Sequence, residues 1–267
     1  MKFTDSHCHL DSAEFDPDRD AVLERARTEG VCTILAVGTA TTPESADSAI
    51  RLAGRYEGVW ATAGVQPHDA HLAPEETFAR IEALAKHPRL AAIGETGLEY
   101  HYQTAPRGAQ REAFIRQLHI AGTAGKPVVI HSREAWPDTF AILAEHWAPY
   151  GLSGIMHCFT GGAAEAERAL ALGFYLSFSG ILTFPRAAEI RAAARLAPLD
   201  RLLVETDAPL LAPAPKRGRR NEPAFVVETA RRLAEVRGVG LEEIAAATSD
   251  NFERLCLLPV NTSGYTG

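Results

Sequence analysis

The sequence predicts the α/β fold class and, within it, a (β/α)₈ TIM barrel. Short apolar segments typical of buried strands alternate with amphipathic segments, at a spacing of roughly 25–30 residues. Eight apolar segments occur in 267 residues, and a barrel of this kind needs about 250. The expected strands span residues 3–8, 31–38, 59–64, 90–95, 127–131, 153–158, 174–178 and 201–206.

The segments between the expected strands have the periodicity of helices. Clear examples are residues 18–29, which Gly30 ends, and residues 75–86, 107–124, 163–172, 222–237 and 241–257. The chain contains no linker, repeat or low-complexity segment, and the Pro-rich stretch at 209–215 has the composition of one loop. We therefore expect residues 1–267 to form a single barrel domain.

An open, doubly wound sheet would show the same alternation of strands and helices. The positions of the candidate metal ligands distinguish the two folds. These residues end the first, fourth, fifth, sixth and eighth strands, and only a closed barrel brings the ends of the first and eighth strands to one centre.

Composition excludes several classes of protein. The net charge of −7 argues against a protein that coats nucleic acid by bulk electrostatics, although Lys216-Arg217-Gly218-Arg219-Arg220 is a local basic patch. No apolar stretch is long enough to span a bilayer, and the N-terminus lacks a signal segment. Four widely spaced cysteines without a C-x-x-C pair predict reduced, packed thiols, and together these features predict a cytoplasmic protein.

The pair His7 and His9 is the strongest indication of a metal site. Residues two apart on a strand point the same way, so both imidazoles, with Asp5, should face the barrel interior. Two neutral imidazoles that converge are suited to zinc or a similar divalent cation. Asp5 would then orient one of the imidazoles, whereas Cys8 should point to the opposite face.

Four further candidate ligands end other apolar segments: Glu95, His131, His157 and Asp207. A buried carboxylate such as Glu95 is costly unless it is paired, and its two oxygens can bridge two cations. Asp207 could both bind a metal and accept the proton of an attacking water. We expect Glu95 and Asp207 to be the catalytic carboxylates. Glu205 could hydrogen-bond to a ligand histidine or form a plain salt bridge.

Contacts to substrate are expected from residues near the same face. His68 follows the third strand, and Arg133 follows His131 by two residues. Arg217 and Arg220 of the basic loop could neutralise phosphates and developing negative charge, although the loop could equally be a solvated surface turn.

Six segments, taken in order, resemble the TatD family of metal-dependent deoxyribonucleases, which belongs to the amidohydrolase-like barrels. They are Asp5-Ser6-His7-Cys8-His9-Leu10-Asp11, Gly94-Glu95-Thr96-Gly97-Leu98-Glu99-Tyr100, Ile130-His131-Ser132-Arg133-Glu134-Ala135, His157-Cys158-Phe159-Thr160-Gly161, Glu205-Thr206-Asp207-Ala208-Pro209 and Arg220-Asn221-Glu222-Pro223. The resemblance covers nearly the whole chain.

The resemblance implies a site for two metal ions in which Glu95 bridges. The implied ligands are His7, His9, Glu95, His131, His157 and Asp207. It also implies hydrolysis of DNA phosphodiesters, often from the 3′ end, supported by magnesium or manganese, with zinc often found in crystals. Two positions depart from the family pattern: Gln66 stands where a histidine is usual, and Glu99 where an aspartate is usual.

Other functions fit the same residues. The metal site could hydrolyse a different ester, such as the bond between a D-amino acid and tRNA, or the protein could be a small-molecule amidohydrolase. A non-enzymatic scaffold is disfavoured because it has no reason to bury six candidate ligands. We expect a monomer that acts on DNA and does not bind membranes.

Overall fold

Eight parallel strands form the centre of the molecule and lie side by side in chain order. The structure, a computed structural model, describes residues 1–256. The strands are β1 (Phe3–Cys8), β2 (Val31–Thr39), β3 (Val59–Gly64), β4 (Leu90–Glu99), β5 (Val128–Arg133), β6 (Gly154–Met156), β7 (Tyr175–Phe178) and β8 (Leu202–Val204).

The first and last strands meet just beyond their carboxyl ends. Cys8 forms a parallel bridge with Ala208, the backbone N–H of His9 donates to the carbonyl of Ala208 at 2.8 Å, and the N–H of Asp207 donates to the carbonyl of His7 at 2.9 Å. The sheet therefore closes on itself. The predicted barrel is confirmed, and the open doubly wound sheet is excluded.

In the part of the chain that the structure describes, seven helices connect successive strands on the outside of the sheet, and two more follow the last strand. They are α1 (Arg19–Thr28), α2 (Ser48–Arg55), α3 (Glu75–Leu84), α4 (Arg107–Ala124), α5 (Trp136–His146), α6 (Ala163–Ala171), α7 (Ala188–Leu196), α8 (Val226–Arg237) and α9 (Leu241–Cys256). None of these helices, all within residues 1–256, has the length and apolar character that crossing a bilayer requires.

Some element bounds differ from those predicted. The helix expected at 222–237 begins only at Val226, because Pro223–Phe225 form a separate 3₁₀ turn. Strands β4 and β5 continue to Glu99 and Arg133, so Glu95 and His131 lie inside strands rather than at their ends. Residue 257 of the last predicted helix, and residues 257–267 of the predicted domain, lie outside the described residues.

The amino end of the barrel is filled by apolar side chains. These are Leu35, Ala91, Ala92, Val129, Ile155, Tyr175 and Leu203 from the strands, with Phe252 and Cys256 from α9. Helix α9 is fastened there by the side chain of Asn251, which donates to the carbonyls of Leu199 and Leu202 at 2.9 Å each. Layers of branched side chains are typical of barrel interiors. Apolar packing therefore fills the amino end of the barrel interior.

Strand β4 contains an irregularity that positions Glu95. Its register against β5 shifts between Ile93 and Thr96. Gly94 and Gly97 have φ values of 135° and 132°, which L side chains rarely adopt. A β-carbon at Gly97 would also overlap the carbonyl oxygen of His131. The bulge therefore depends on these glycines, and it turns Glu95 toward the barrel axis.

Candidate metal centre

The six predicted ligand residues converge at the carboxyl end of the barrel. His7 lies in β1 and His9 just after it, Glu95 in β4, and His131 in β5. His157 and Asp207 follow β6 and β8. Parallel strands place all their carboxyl ends at one mouth, which is why residues so far apart in sequence meet.

The carboxylate of Glu95 faces two separate pairs of histidines. Its Oε2 atom lies 3.6 Å from Nε2 of His7 and 3.7 Å from Nε2 of His9. Its Oε1 atom lies 3.0 Å from Nδ1 of His131 and 3.1 Å from Nε2 of His157. Glu95 is therefore the central residue of the cluster.

Asp207 lies beside the first pair of histidines, His7 and His9. Its Oδ1 atom lies 3.7 Å from Nε2 of His7 and 3.4 Å from Nε2 of His9, and the two histidine nitrogens are 3.4 Å apart. In the second pair the nitrogens of His131 and His157 are 3.2 Å apart. The ligand atoms therefore form two adjoining groups, one at His7, His9 and Asp207 and the other at His131 and His157, with Glu95 between them.

The donor set suits divalent cations. Nitrogen and oxygen ligands around a tetrahedral zinc ion, with bonds of roughly 2.1 Å, lie about 3.4 Å from one another. The separations in both groups are close to this value, and the groups formed by Glu95 with His7 and His9, and by Glu95 with His131 and His157, are compact enough to hold an ion. The side chains present therefore fit the metal that the sequence predicted.

Two further carboxylates contact His157 and His131 on the side of each ring that faces away from Glu95. Glu205 Oε1 lies 3.2 Å from Nδ1 of His157, and Glu99 Oε2 lies 3.2 Å from Nε2 of His131. In each ring the other nitrogen faces Glu95. Hydrogen bonds of this kind determine the tautomer and orientation of metal-binding histidines. Of the two roles considered for Glu205, the hydrogen bond to a histidine is present.

The ionisable groups polarise one another. Burial alone would raise the pKa of Glu95, but the charge on His157 and hydrogen bonds from the surrounding imidazoles hold it well below its ordinary value. Burial opposes charge on His9 as well, yet Asp207 raises the pKa of His9 to about 9. By contrast, burial and the nearby His157 lower the pKa of His7. The carboxylate of Glu95 is thus anionic, and the centre favours the cationic form of His9 but the neutral form of His7.

The role predicted for Asp5 is wrong. Its carboxylate accepts hydrogen bonds from the backbone N–H of Thr206 at 2.8 Å and the Thr206 hydroxyl at 2.6 Å, and it is not hydrogen-bonded to an imidazole. Burial raises the pKa of Asp5 to about 8, despite these hydrogen bonds. Asp5 instead holds the segment that carries Asp207 against β1.

The cysteines are only partly as predicted. Cys8 and Cys256 are buried, Cys158 is half-buried with its Sγ 3.2 Å from the hydroxyl of Ser179, and Cys32 is exposed rather than packed. Within residues 1–256, no cysteine belongs to a group of side chains that could hold a metal. Cys8 is therefore not a third ligand beside His7 and His9.

The predicted substrate residues lie around the mouth. His68 is half-buried, with Nε2 3.9 Å from Oε2 of Glu99 and Nδ1 3.1 Å from the hydroxyl of Thr104. The guanidinium carbon of Arg133 lies 4.7 Å from the centre of the Tyr102 ring. The amide of Gln66 donates to Asp69 at 2.6 Å, so its side chain is already engaged within its own turn.

Arg217 and Arg220 of the basic loop have different surroundings. Arg220 donates to Asp18 at 2.7 Å and to the carbonyl of Glu14 at 2.5 Å, and it lies over the ring of Phe15. Arg217 packs over the ring of Phe184 at 4.4 Å. Arg220 therefore anchors the loop to the start of α1.

Two buried glutamines were missed in the sequence. Gln117 Oε1 accepts the N–H of Val65 at 2.8 Å, and its amide donates to the Thr96 hydroxyl at 2.8 Å. Gln110 accepts the N–H of Glu99 at 2.8 Å and donates to the carbonyls of Glu99 and Ala105. They lie seven residues apart on the inner face of α4, so polar residues at helix core spacing were the available signal.

The chain is similar to proteins of known families along nearly its whole length. A family model described as "TatD related DNase" matches residues 4–256. The "Uncharacterized metal-dependent hydrolase YabD" of Bacillus subtilis (strain 168) is 40% identical over 251 residues, which are 94% of this chain and 97% of that protein. The "3'-5' ssDNA/RNA exonuclease TatD" of Cronobacter sakazakii (strain ATCC BAA-894) is 40% identical over 255 residues, 93% of this chain and 95% of that protein.

A solved structure has the same architecture. The crystal structure of YJJV, a TatD homolog from Escherichia coli K12, superposes with a TM-score of 0.89 at 30% sequence identity. The match covers 96% of this chain and 98% of that one. The similarity therefore extends over nearly the whole of both chains.

Proposed function

Because the chain belongs to the TatD related DNase family, we propose that it hydrolyses phosphodiester bonds of DNA, from the 3′ end of single strands and with two divalent metal ions. Family membership confirms the resemblance that the motifs indicated, and with it an enzyme of the hydrolase class. The observation that carries the two-metal proposal is the Glu95 carboxylate, whose two oxygens face different pairs of histidines.

Zinc, magnesium or manganese would be held by the two groups of side chains that meet at Glu95. The first group is His7, His9 and Asp207, and the second is His131 and His157. When bound, such cations lower the pKa of water and polarise a phosphoryl oxygen.

Asp207 is proposed to accept the proton of the attacking water. Burial would raise its pKa, but the hydrogen bond from His9 and the charges on His157 and His7 lower it, so the carboxylate is ionised at neutral pH. Its Oδ1 atom faces the mouth beside His7 and His9, where a proton acceptor is needed.

Positive charge around the mouth is proposed to hold the phosphates. Arg133 and Arg217 are the proposed direct contacts, together with His68, whose ring centre lies 5.9 Å from that of the candidate ligand His131. Arg220 would act by anchoring the loop that carries Arg217. Guanidinium groups suit this role because they donate two parallel hydrogen bonds to a phosphate.

We also propose that the protein acts in the cytoplasm as a monomer. The acidic net charge, the thiols without a disulfide partner among the described residues and the compact barrel support this assignment. Sedimentation of the purified protein at micromolar concentration tests the oligomeric state, and a dimer would contradict it.

Cleavage of labelled DNA tests the proposed activity. Single-stranded DNA labelled at its 5′ end is incubated with protein and magnesium, manganese or zinc, and a ladder that shortens from the 3′ end is expected. Asp207→Asn should lower kcat roughly 10²- to 10⁴-fold. Asp200→Asn is the matched control, since Asp200 is exposed at the opposite end of β8.

Two outcomes would reject the proposal. One is the absence of cleavage with every metal. The other is cleavage that Asp207→Asn does not diminish, which would indicate a contaminating nuclease or a different active site.

A further inference from the structure

An exposed aromatic side chain lies beside the metal centre. Tyr102 follows β4 and is 60% exposed, although most aromatic side chains of the described chain are buried. Among residues 1–256, three other large apolar residues have more than half their surface exposed: Leu72 and Leu210 lie in loops at the carboxyl ends of strands, and Met1 precedes β1. The Tyr102 ring is therefore accessible to a ligand at the carboxyl end of the barrel.

The backbone that carries Tyr102 is held in one conformation. Glu99 Oε1 accepts the N–H groups of His101 at 2.6 Å and Tyr102 at 3.1 Å. The buried amide of Gln110 binds the carbonyls of Glu99 and Ala105, so a single side chain fastens both ends of the loop. A rigid support lowers the entropic cost of presenting a ring to a ligand.

The same carboxylate connects Tyr102 to the metal centre. The second oxygen of Glu99 lies 3.2 Å from Nε2 of His131, whose other nitrogen faces Glu95 at 3.0 Å. The His68 ring lies between, 6.1 Å from the Tyr102 ring and 5.9 Å from the His131 ring. A flat group placed on Tyr102 would therefore lie next to the reacting phosphodiester.

Charge around Tyr102 suits one nucleotide of the substrate. The Arg133 guanidinium lies 4.7 Å from the ring centre, and the imidazole of His101, which is bound to Glu134 at 2.7 Å, meets the ring edge-on at 4.7 Å. Aromatic rings stack on unpaired bases of any sequence, while guanidinium groups bind the adjoining phosphates.

We propose that Tyr102 is the stacking platform for an unpaired nucleobase next to the scissile phosphodiester, with Arg133 on the phosphate beside it. This proposal rests on the proposed nuclease function. Such a platform would favour single strands, because a base in a duplex is stacked between its neighbours and cannot lie flat on Tyr102.

The test compares Tyr102 variants on normal and abasic substrates. Wild type, Tyr102→Ala and Tyr102→Phe cleave 5′-labelled oligonucleotides in which the last or the penultimate nucleotide is normal or lacks its base. Stacking is worth about 1–3 kcal/mol per base, so Tyr102→Ala should raise KM roughly 5- to 150-fold on the normal strand. On the oligonucleotide that lacks the base proposed to stack on Tyr102, Tyr102→Ala should have the same KM as wild type. Tyr102→Phe should have the KM of wild type on every strand.

Tyr150→Ala is the control, because Tyr150 lies after α5 on the opposite end of the barrel, and thermal unfolding of every variant confirms folding. Equal KM changes for Tyr102→Ala on normal and all abasic strands, or no change on any, would overturn the stacking role while leaving the nuclease function in place. If wild type cleaves no strand with any metal, the nuclease function and the stacking role both fail.

Discussion

Glu205 lies 3.2 Å from Nδ1 of His157, on the side of the imidazole that faces away from Glu95. Both side chains are buried, and Glu205 Oε1 also accepts the backbone N–H of Cys158 at 2.7 Å. The carboxylate therefore holds the His157 ring with Nε2 directed at the centre. It also increases the basicity of that nitrogen as a metal ligand.

Glu205→Gln should weaken metal binding about 10- to 100-fold, since a neutral amide supports the imidazole less well than a carboxylate does. Metal affinity is measured by titrating the metal-free protein with zinc in the presence of a competing chelator. Glu235→Gln, at an exposed position of α8, is the control and should bind zinc as wild type does. Unchanged affinity in Glu205→Gln would contradict the supporting role.

Metal binding should release protons, because a cation binds neutral imidazoles. Asp207 raises the pKa of His9 to about 9 against the effect of burial, and Glu95 and Glu205 raise the pKa of His157 well above its ordinary value. Both rings are therefore protonated at pH 7 in the metal-free protein. The affinity should rise with pH through about 9 and fall in acid.

Calorimetry in two buffers with different ionisation enthalpies measures this release. About two or more protons per protein are expected at pH 7. The number should decrease near pH 10, where His9 is already neutral. Binding at pH 7 without proton release would contradict the charge state described for the centre.

The barrel and the six ligands could be predicted because each depends on a local rule. Alternation along a strand placed His7 and His9 together, and parallel strands placed His131, His157 and Asp207 at the same mouth. These rules need only the spacing of apolar and polar residues. The rules can be applied without knowing how the loops pack against one another.

The residues that support the site could not be predicted in the same way. Asp5 shares a face with His7, but its nearest partner is Thr206, 201 positions away, and only the closure of the barrel decides this pairing. The continuation of β4 to Glu99 depends on the bulge at Gly94. The fastening of the Tyr102 loop by Gln110 depends on how α4 lies against that strand.

Gly97→Ala should destabilise the protein, because φ at this position is 132° and a β-carbon would overlap the carbonyl oxygen of His131. A loss of about 2 kcal/mol or more in the free energy of unfolding is expected. Gly108→Ala is the control: a β-carbon there meets no atom within 4 Å, and the position lies in α4.

Urea unfolding of both glycine variants checks this prediction. Gly108→Ala should raise the free energy of unfolding by about 0.5–1 kcal/mol, since alanine favours the helix. If Gly97→Ala were as stable as wild type, β4 would not need the left-handed glycine conformation next to His131.

Arg217 and Arg220 should respond differently to replacement by alanine, although they lie three residues apart. Arg220 binds Asp18, whose pKa its hydrogen bond lowers, and it covers Phe15, so Arg220→Ala should lower the melting temperature. Arg217→Ala should leave the melting temperature unchanged, because Arg217 packs only over Phe184 at the surface. It should instead weaken binding of single-stranded DNA and reduce the salt dependence of binding by about one phosphate contact.

Fluorescence anisotropy of labelled single-stranded DNA over a series of salt concentrations, together with thermal unfolding, separates the two effects. Arg195→Ala provides a matched control, because Arg195 is exposed in the last turn of α7, at the amino end of the barrel. If the DNA affinity of Arg217→Ala depended on salt as strongly as that of wild type, Arg217 would not contact a phosphate. The loop at 216–220 would then act only through the anchor that Arg220 makes to α1.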